Sequence, residues 1–510
     1  MASCNERGEV DRSVAQGRPA EPSADLARQR GPSNAVLVSV VIGVALVLVA
    51  LFTYTFTRPF RFYDHFEWQA AAFLEGEAAI RYPVESTSDS PGNAFFQDVL
   101  PVESDDVPRG LIPFPPLPAL VLTPFVAMWG LAADGQLIFA ILGAVDVGIA
   151  WWMLGRLPIG QWVRLAVTVF FAFGTVFWYA SQIGTTWYQA HVLAVGLALL
   201  AVGLALRADP DAAGDEDDPP AHRDLGDATE RGEASRSNLV ATVRDLFRRG
   251  LDRRQLLVGL LFGLACTARL PVAFAAPFFL LVGGGGTWLR RGASAGIGAA
   301  IPVGALVLYN LVTTGHVLHP AYDYLYQLEA GFYTTLGYKL DWAVEDPRYI
   351  PQNLGIMLFS TPAILPDVYP AGLGGGEALC TEPGAVRQLF DRSCPIALPR
   401  DIGMSIFLTS PAYLLAAPAL ARLWGRSRVV TGAALAVLAV AIFNLMHFSQ
   451  GWVQFGYRFS LDFVPWALLL VALGLERVRS GLGIAVAVGL VAVSIAVNAW
   501  GVVWGGILGW

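Results

Sequence analysis

The sequence predicts an all-α polytopic membrane protein with about 11 transmembrane helices and two large outer loops. Three observations lead there. Of 510 residues, 55% are hydrophobic and 15% charged, where a soluble domain carries about 25% charge. Mean hydropathy is +0.52. Apolar blocks of membrane-crossing length recur along most of the chain. A soluble enzyme, a disordered chain and a disulfide-stapled secreted module are thereby excluded. The net charge of −7 gives no reason to expect a nucleic-acid partner. Four cysteines without ligand spacing give none to expect a metal or other cofactor.

Residues 1–34 are polar and carry Arg7, Arg12, Arg18, Arg28 and Arg30, a basic tail expected to stay cytoplasmic. The apolar run from Ala35 to Thr57 is too long for a signal-peptide core, and no small-residue cleavage site follows it. It reads as an uncleaved first transmembrane helix. Later apolar blocks cover 112–131, 134–154, 162–180, 187–206, 255–289, 294–313, 403–421, 428–447, 457–475 and 481–505. One crossing per block would put the linker 207–254, with its nine arginines, outside. That opposes the positive-inside rule. Two local features resolve the conflict. The stretch Gly110–Pro118 holds four prolines in nine residues, which interrupts helical hydrogen bonding, so 112–131 is expected to dip into the outer face without crossing. The block 255–289, with Pro271 near its middle, is expected to form two short crossings with an outer apex at Arg269-Leu-Pro271. The linker then lies inside with Arg290, Arg291, Arg422, Arg426, Arg428, Arg477 and Arg479. The segments become a tail (1–34), a membrane module (35–206) with outer loop 58–133, a cytoplasmic acidic and arginine-bearing linker (207–254), helices 255–313, a second outer loop (314–402) and C-terminal membrane helices (403–510).

The first outer loop opens on Thr57-Arg-Pro-Phe-Arg-Phe-Tyr-Asp64-His65-Phe-Glu67 and continues to Gly76. On a helix, Asp64 and Glu67 share a face, with Phe66, Ala70 and Phe73 as the buried side. An acid held at a membrane surface beside aromatics acquires a raised pKa and suits a general base. The same residues also fit an ordinary surface helix with solvated acids.

These motifs resemble those of the GT-C superfamily of membrane glycosyltransferases, and more narrowly the bacterial and archaeal relatives of protein O-mannosyltransferases and of the lipid A aminoarabinose transferase. In those enzymes an acidic motif, often Asp-Glu, opens the first outer loop. A short helix ending in Gly, a Pro-Pro-Leu segment and a Phe-Gly or Trp-Gly run follow. This chain has Asp64-His65, Ala71–Gly76, Pro115-Pro-Leu117 and Met128-Trp-Gly130 in that order. His65 replaces the second acid, which leaves the base to Asp64, assisted by Glu67 or His65. Leu257–Pro271 is similar to the family's Gly-rich helix ending in a basic residue. Tyr309-Asn310 with Thr314-Gly315 resembles its entry to the later loop. Gly451–Phe459, containing Tyr457 and Arg458, resembles the element before a late helix, here carrying Pro465. One feature departs. The turn Ser181–His191 lacks the acid many relatives place there; Gln189 and His191 stand near its end.

The resemblance implies a polyprenyl-phosphate-linked sugar as donor, held by helices 255–313 in the bilayer of the plasma membrane, and a glycan, lipid or protein acceptor at the outer face. Asp64 would take the acceptor's proton as the hydroxyl inverts the anomeric carbon. Arg269 and Arg458 would hold the leaving phosphate, because guanidinium stays charged in low dielectric and binds phosphate as a fork. Alternatively, either arginine snorkels or pairs with an acid such as Asp462. Tyr457, Gln189, His191 and Lys339, the only lysine, are further substrate-contact candidates. Cys380 and Cys394, both in the second outer loop, are candidates for a disulfide on an oxidising face. The alternative function is a transporter or flippase of lipid-linked sugars, for which Asp146, Asn444 and Asn498 are the intrahelical polar candidates.

Overall fold

The computed structural model describes residues 34–59, 64–81, 98–103, 108–209, 243, 244, 246, 248–332, 341–369, 376–421, 427–451 and 453–510. The tail 1–33, with Cys4, Lys339 and most of the linker 207–254 lie outside the described residues.

The chain is a helical, multi-pass membrane protein. Helix α1 (Asn34–Phe56) is apolar on every side and mostly exposed to the surroundings, as a lipid-facing helix must be. Short α2 (His65–Leu74) follows, then α3 (Leu117–Trp129), α4 (Gly135–Leu154), α5 (Gln161–Phe173), α6 (Phe177–Ile183) and α7 (Thr186–Ala208). Beyond the linker come α8 (Arg253–Ala268), a 3-10 turn (Leu270–Ala275), α9 (Pro277–Leu281) and α10 (Trp288–Thr314). The second loop carries α11 (Ala321–Phe332) and α12 (Ile350–Phe359). Short α and 3-10 helical pieces at 406–420 lead to α13 (Arg428–Met446), α14 (Val464–Glu476) and α15 (Gly481–Leu508).

Helix length alone does not confirm the expected count of 11 crossings. Among the described residues six helices are long and apolar enough to span a membrane alone, or up to seven with α5 and α6 taken as one bent span. The other apolar blocks are shorter helices, at Leu117–Ala132, Leu270–Leu281, Pro411–Leu420 and Val464–Glu476. Prolines 118, 124, 271, 277, 411, 418 and 465 lie in them, and each removes a backbone donor. At 1.5 Å per residue, α3 covers about 20 Å, short of a hydrocarbon core of about 30 Å. The 48° bend between α5 and α6 has a local cause as well. The helix stops at Gly174, and the Thr175 hydroxyl both donates to Phe171 O (2.8 Å) and accepts from the Phe177 N–H (3.2 Å).

Segment 253–282 is the hairpin expected from Pro271. Gln255, at the start of α8, donates to Phe279 O (3.2 Å) and accepts from the Gly284 N–H (3.1 Å). The legs are therefore antiparallel, with Arg269 at the apex. At the base, Arg291 is buried and donates to the carbonyls of Gly283 (2.9 Å) and Leu281 (2.7 Å), capping the returning leg. Asp209 lies at the same end, bonded to Arg428 (3.0 Å) and the Gly283 N–H (3.1 Å). The bundle thus has a linker end, marked by Asp209 and Arg291, and a loop end, marked by Arg269. Helix α7 runs between them and is largely buried. Helices α8 and α10 meet backbone to backbone: a Cβ on Gly259 would overlap the Ala295 carbonyl, and one on Gly298 the Leu256 carbonyl.

Two small sheets sit in the loops. Strands β1 (Ile80–Arg81), β3 (Arg109–Leu111) and β2 (Leu100–Val102) pair antiparallel in that spatial order and pack Ile80, Val99 and Ile112 onto Ala72 and Trp68 of α2. In the second loop, β4 (Ala363–Ile364) pairs with β5 (Ala397–Leu398). There Cys380 and Cys394 are bonded, their Cα atoms 4.5 Å apart. Cys266 is buried and free.

Candidate active site at the loop end

Asp64 is the residue immediately before α2 and is half-buried. One carboxylate oxygen lies in the interior without a hydrogen-bond partner. Burial pushes its pKa from 3.8 up to about 7. Glu67, one turn on, is buried, and burial, reinforced by the nearby Asp64 charge, pushes it from 4.5 to about 8. Gln189 Nε2, on the first turn of α7, donates to Glu67 Oε1 (3.3 Å) and to Gly184 O (2.9 Å). Two glycines make the room. A Cβ on Gly135, the first residue of α4, would overlap the Glu67 carboxylate. Gly184 ends α6 at φ +48, and its added Cβ would stand 3.0 Å from the Gln136 Cα. Burial raises both acids, and the Asp64 charge adds to the rise at Glu67, so Glu67 is the later of the two to ionise.

His65 does not join as a base. It is fully buried between Phe114 and Trp187, its Nδ1 2.9 Å from the Thr186 hydroxyl, and burial holds its pKa down near 3. On the α2 face beside it, Gln69 reaches the Tyr309 hydroxyl of α10 (3.4 Å). Phe66 and Ala70 are buried as the helical spacing predicts; Phe73 is only half-buried. Phe73, Leu117, Leu264, Pro302, Leu306 and Tyr309 are among the residues lining an apolar groove of about 650 Å3 between α2, α3, α8 and α10.

Both arginines come to this end. Their guanidinium carbons lie 5.3 Å (Arg269) and 5.4 Å (Arg458) from the centroid of the Phe459 ring. Arg269 is held by Asp462 in a two-bond fork, Nε to Oδ1 at 3.0 Å and Nη2 to Oδ2 at 2.9 Å. Three of its five N–H groups, two on Nη1 and one on Nη2, take no part in that fork. Asp462 also receives Asn444 Nδ2 (3.1 Å) and stands 3.1 Å from His191 Nδ1, so His191 belongs to this buried network. Arg458 has no carboxylate within ion-pair distance among the described residues; it lies over Tyr188 at 5.6 Å. Tyr457 is enclosed, its hydroxyl donating to Gln450 (2.7 Å), and it does not reach the opening.

Sequence reasoning missed Asp98. It is buried, the Trp187 indole N–H donates to its Oδ2 at 2.6 Å, and it lies near enough to Arg458 for their charges to interact. A carboxylate thus does stand against the turn that carries none of its own. It arrives from the first loop. Nothing in the sequence around Asp98 separates it from solvated loop acids, so only tertiary proximity reveals it. Among the described residues no cluster of three or more His, Cys, Asp or Glu side chains is arranged to hold a metal ion.

No family model matches the chain. No curated protein matches it either. Among solved structures, it is similar to ArnT from Cupriavidus metallidurans bound to undecaprenyl phosphate, at TM-score 0.46 and 13% identity, over 92% of this chain and 76% of that one. It is also similar to the archaeal oligosaccharyltransferase AglB from Archaeoglobus fulgidus, in complex with an inhibitory peptide and a dolichol-phosphate, at TM-score 0.38 and 13% identity. That match covers 91% of this chain and 56% of the other.

Proposed function

We propose that this chain is a membrane glycosyltransferase that moves a sugar from a polyprenyl-phosphate donor to an acceptor hydroxyl at the outer face of the plasma membrane, with inversion. The observation that carries this reading is the gathering at one end of the bundle of an acid with one unpartnered oxygen, Asp64, and two arginines beside one ring. Sugar transfer from a phosphate needs a proton acceptor, a stabiliser for the leaving phosphate and a means of holding both substrates. Asp64 is the acceptor of the proton. Arg458, with no carboxylate at ion-pair distance among the described residues, and the N–H groups of Arg269 outside its fork with Asp462 stabilise the phosphate. The apolar groove beside Tyr309 suits the carrier's hydrocarbon chain.

Glu67, protonated, is a hydrogen-bond donor beside Asp64 and lets Asp64 carry the single negative charge. The transport reading finds less support. Asn444 and Asn498 are tied to Asp462 (3.1 Å) and to Thr409 O (2.7 Å), and Asp146 is enclosed against Gly196. The test is an assay of full-length protein in liposomes with labelled polyprenyl-phosphate sugar and a cell-envelope extract as acceptor. Transfer that disappears in Asp64→Asn, with an unchanged elution profile, supports the enzyme. Movement of the lipid between leaflets without transfer would replace this reading with a flippase.

A further inference from the structure

Asp462 ends the 3-10 turn Arg458–Asp462, just before α14. Its side chain is 0% exposed, while that of its partner Arg269 is 22% exposed. Taking a carboxylate out of water costs free energy, and a buried ion pair adds little net stability over apolar packing. The geometry of the pair shows what it gives instead. Arg269 meets Asp462 side-on, through Nε (3.0 Å) and Nη2 (2.9 Å). A guanidinium is planar and its five N–H groups form a rigid fork, so two bonds along one edge fix the whole plane. The end edge takes no part in them. It presents one N–H on each Nη, parallel, at the spacing of two oxygens of a phosphate.

The carboxylate itself is fully engaged. Besides Arg269, it receives Asn444 Nδ2 from α13 (3.1 Å) and stands 3.1 Å from His191 Nδ1 on α7. Asn444 also donates to Phe459 O (3.2 Å), inside the same 3-10 turn, and its own carbonyl accepts from Gln450 Nε2 (2.9 Å). Gln450 in turn accepts the Tyr457 hydroxyl (2.7 Å). Buried polar networks of this kind rigidify the segments they join. Here they lock the turn that carries Arg458 and, through Asp462, the apex that carries Arg269. His191 comes from the helix whose Gln189 holds Glu67 (3.3 Å), so acid and arginines share one mount.

We infer that Asp462 is a positioning residue for the donor phosphate: it holds the Arg269 guanidinium so that the end pair of N–H groups meets the phosphate beside Arg458. This inference rests on the reading of Arg269 and Arg458 as the phosphate site. Its sign is opposite to that of simple electrostatics. A carboxylate bonded to a phosphate-binding arginine repels the incoming anion, so by charge alone neutralising it tightens binding. Because Asp462 sets the plane, neutralising it loosens binding instead. An asparagine amide offers a single acceptor oxygen, and its NH2 meets the arginine donor to donor.

The test is calorimetric titration of the full-length protein in detergent with farnesyl phosphate, and with farnesol as the uncharged comparison. The wild type is expected to prefer the phosphate by at least about tenfold. Asp462→Asn is expected to weaken farnesyl phosphate binding about tenfold and to leave farnesol binding unchanged. In an Arg269→Gln background, Asp462→Asn is expected to cost nothing further, because it acts through the arginine. Asn444→Ala, which spares the ion pair, is expected to weaken phosphate binding about two- to fivefold. In the transfer assay Asp462→Asn raises donor KM and leaves acceptor KM unchanged, a split that general loosening of the fold does not produce. Unchanged or tighter phosphate binding in Asp462→Asn, or an equal loss with and without Arg269, overturns the inference and leaves the phosphate site standing. Where Asp462→Asn fails to fold, Asn444→Ala decides: unchanged phosphate binding overturns the inference. A wild type that binds farnesol as tightly as farnesyl phosphate overturns the reading of the arginines, and the inference with it.

Discussion

Asp64 and Glu67 differ by one helical turn, yet they are suited to different work. Both are raised by burial, Asp64 to about 7 and Glu67 to about 8. Transfer is therefore expected to rise with pH through about 7, as Asp64 ionises, and Asp64→Asn to lower kcat by about 10²–10⁴-fold with little change in donor KM. A flat pH profile in the wild type contradicts that assignment. The stability effect has the opposite sign. The folded chain holds protons on these carboxyls that the unfolded chain releases near 3.8 and 4.5, so stability falls as pH rises from those values toward 7 and 8. Glu67→Gln cannot ionise, and denaturant titrations at pH 5 and 9 are expected to show a smaller loss for it than for the wild type. Arg458→Lys keeps the charge but loses the fork. It is expected to raise donor KM more than it lowers kcat, a split that steady-state kinetics reads directly. The acidic opening and both arginines were legible in sequence because a polar group beside a long apolar run is costly and stands out. The fork between Arg269 and Asp462 was only an alternative there, because 193 residues separate the partners.

At the scale of elements, apolar block boundaries and proline positions foretold most helices. The apex at Arg269 and the brevity of α3 follow from where donors are missing, which is a local property. What the blocks could not give is how many are full spans: a run of apolar residues does not say whether a proline shortens it or a Gly-Thr step bends it by 48°. Helix-to-helix distances were equally hidden. Gly259 and Gly298 allow α8 and α10 to touch through backbone, so Gly259→Ala is expected to force them apart and destabilise by roughly 1–3 kcal/mol. A thermal unfolding comparison in detergent checks this. Gly296→Ala on α10, where an added Cβ meets nothing within 4 Å, is the control expected to leave the melting temperature unchanged or slightly higher.

For the whole molecule, the two ends are marked by different residues. The linker end gathers Asp209, Arg291 and Arg428, and the loop end gathers the acid pair and the disulfide-bonded second loop. A membrane-impermeant thiol reagent applied to intact cells after mild reduction is expected to label Cys380 or Cys394, and to leave a cysteine introduced at Arg253 unlabelled. The reverse pattern places the loop end in the cytoplasm. The sequence by itself determined the class of the chain, the opening helix, the proline breaks and the residue types able to accept a proton or hold a phosphate, because hydrophobic runs and backbone donors are local quantities. Tertiary structure alone decided that Arg269 and Arg458 lie beside one ring and that Asp98 stands against a turn lacking an acid. Those facts depend on packing between segments far apart in the chain, which no local spacing encodes.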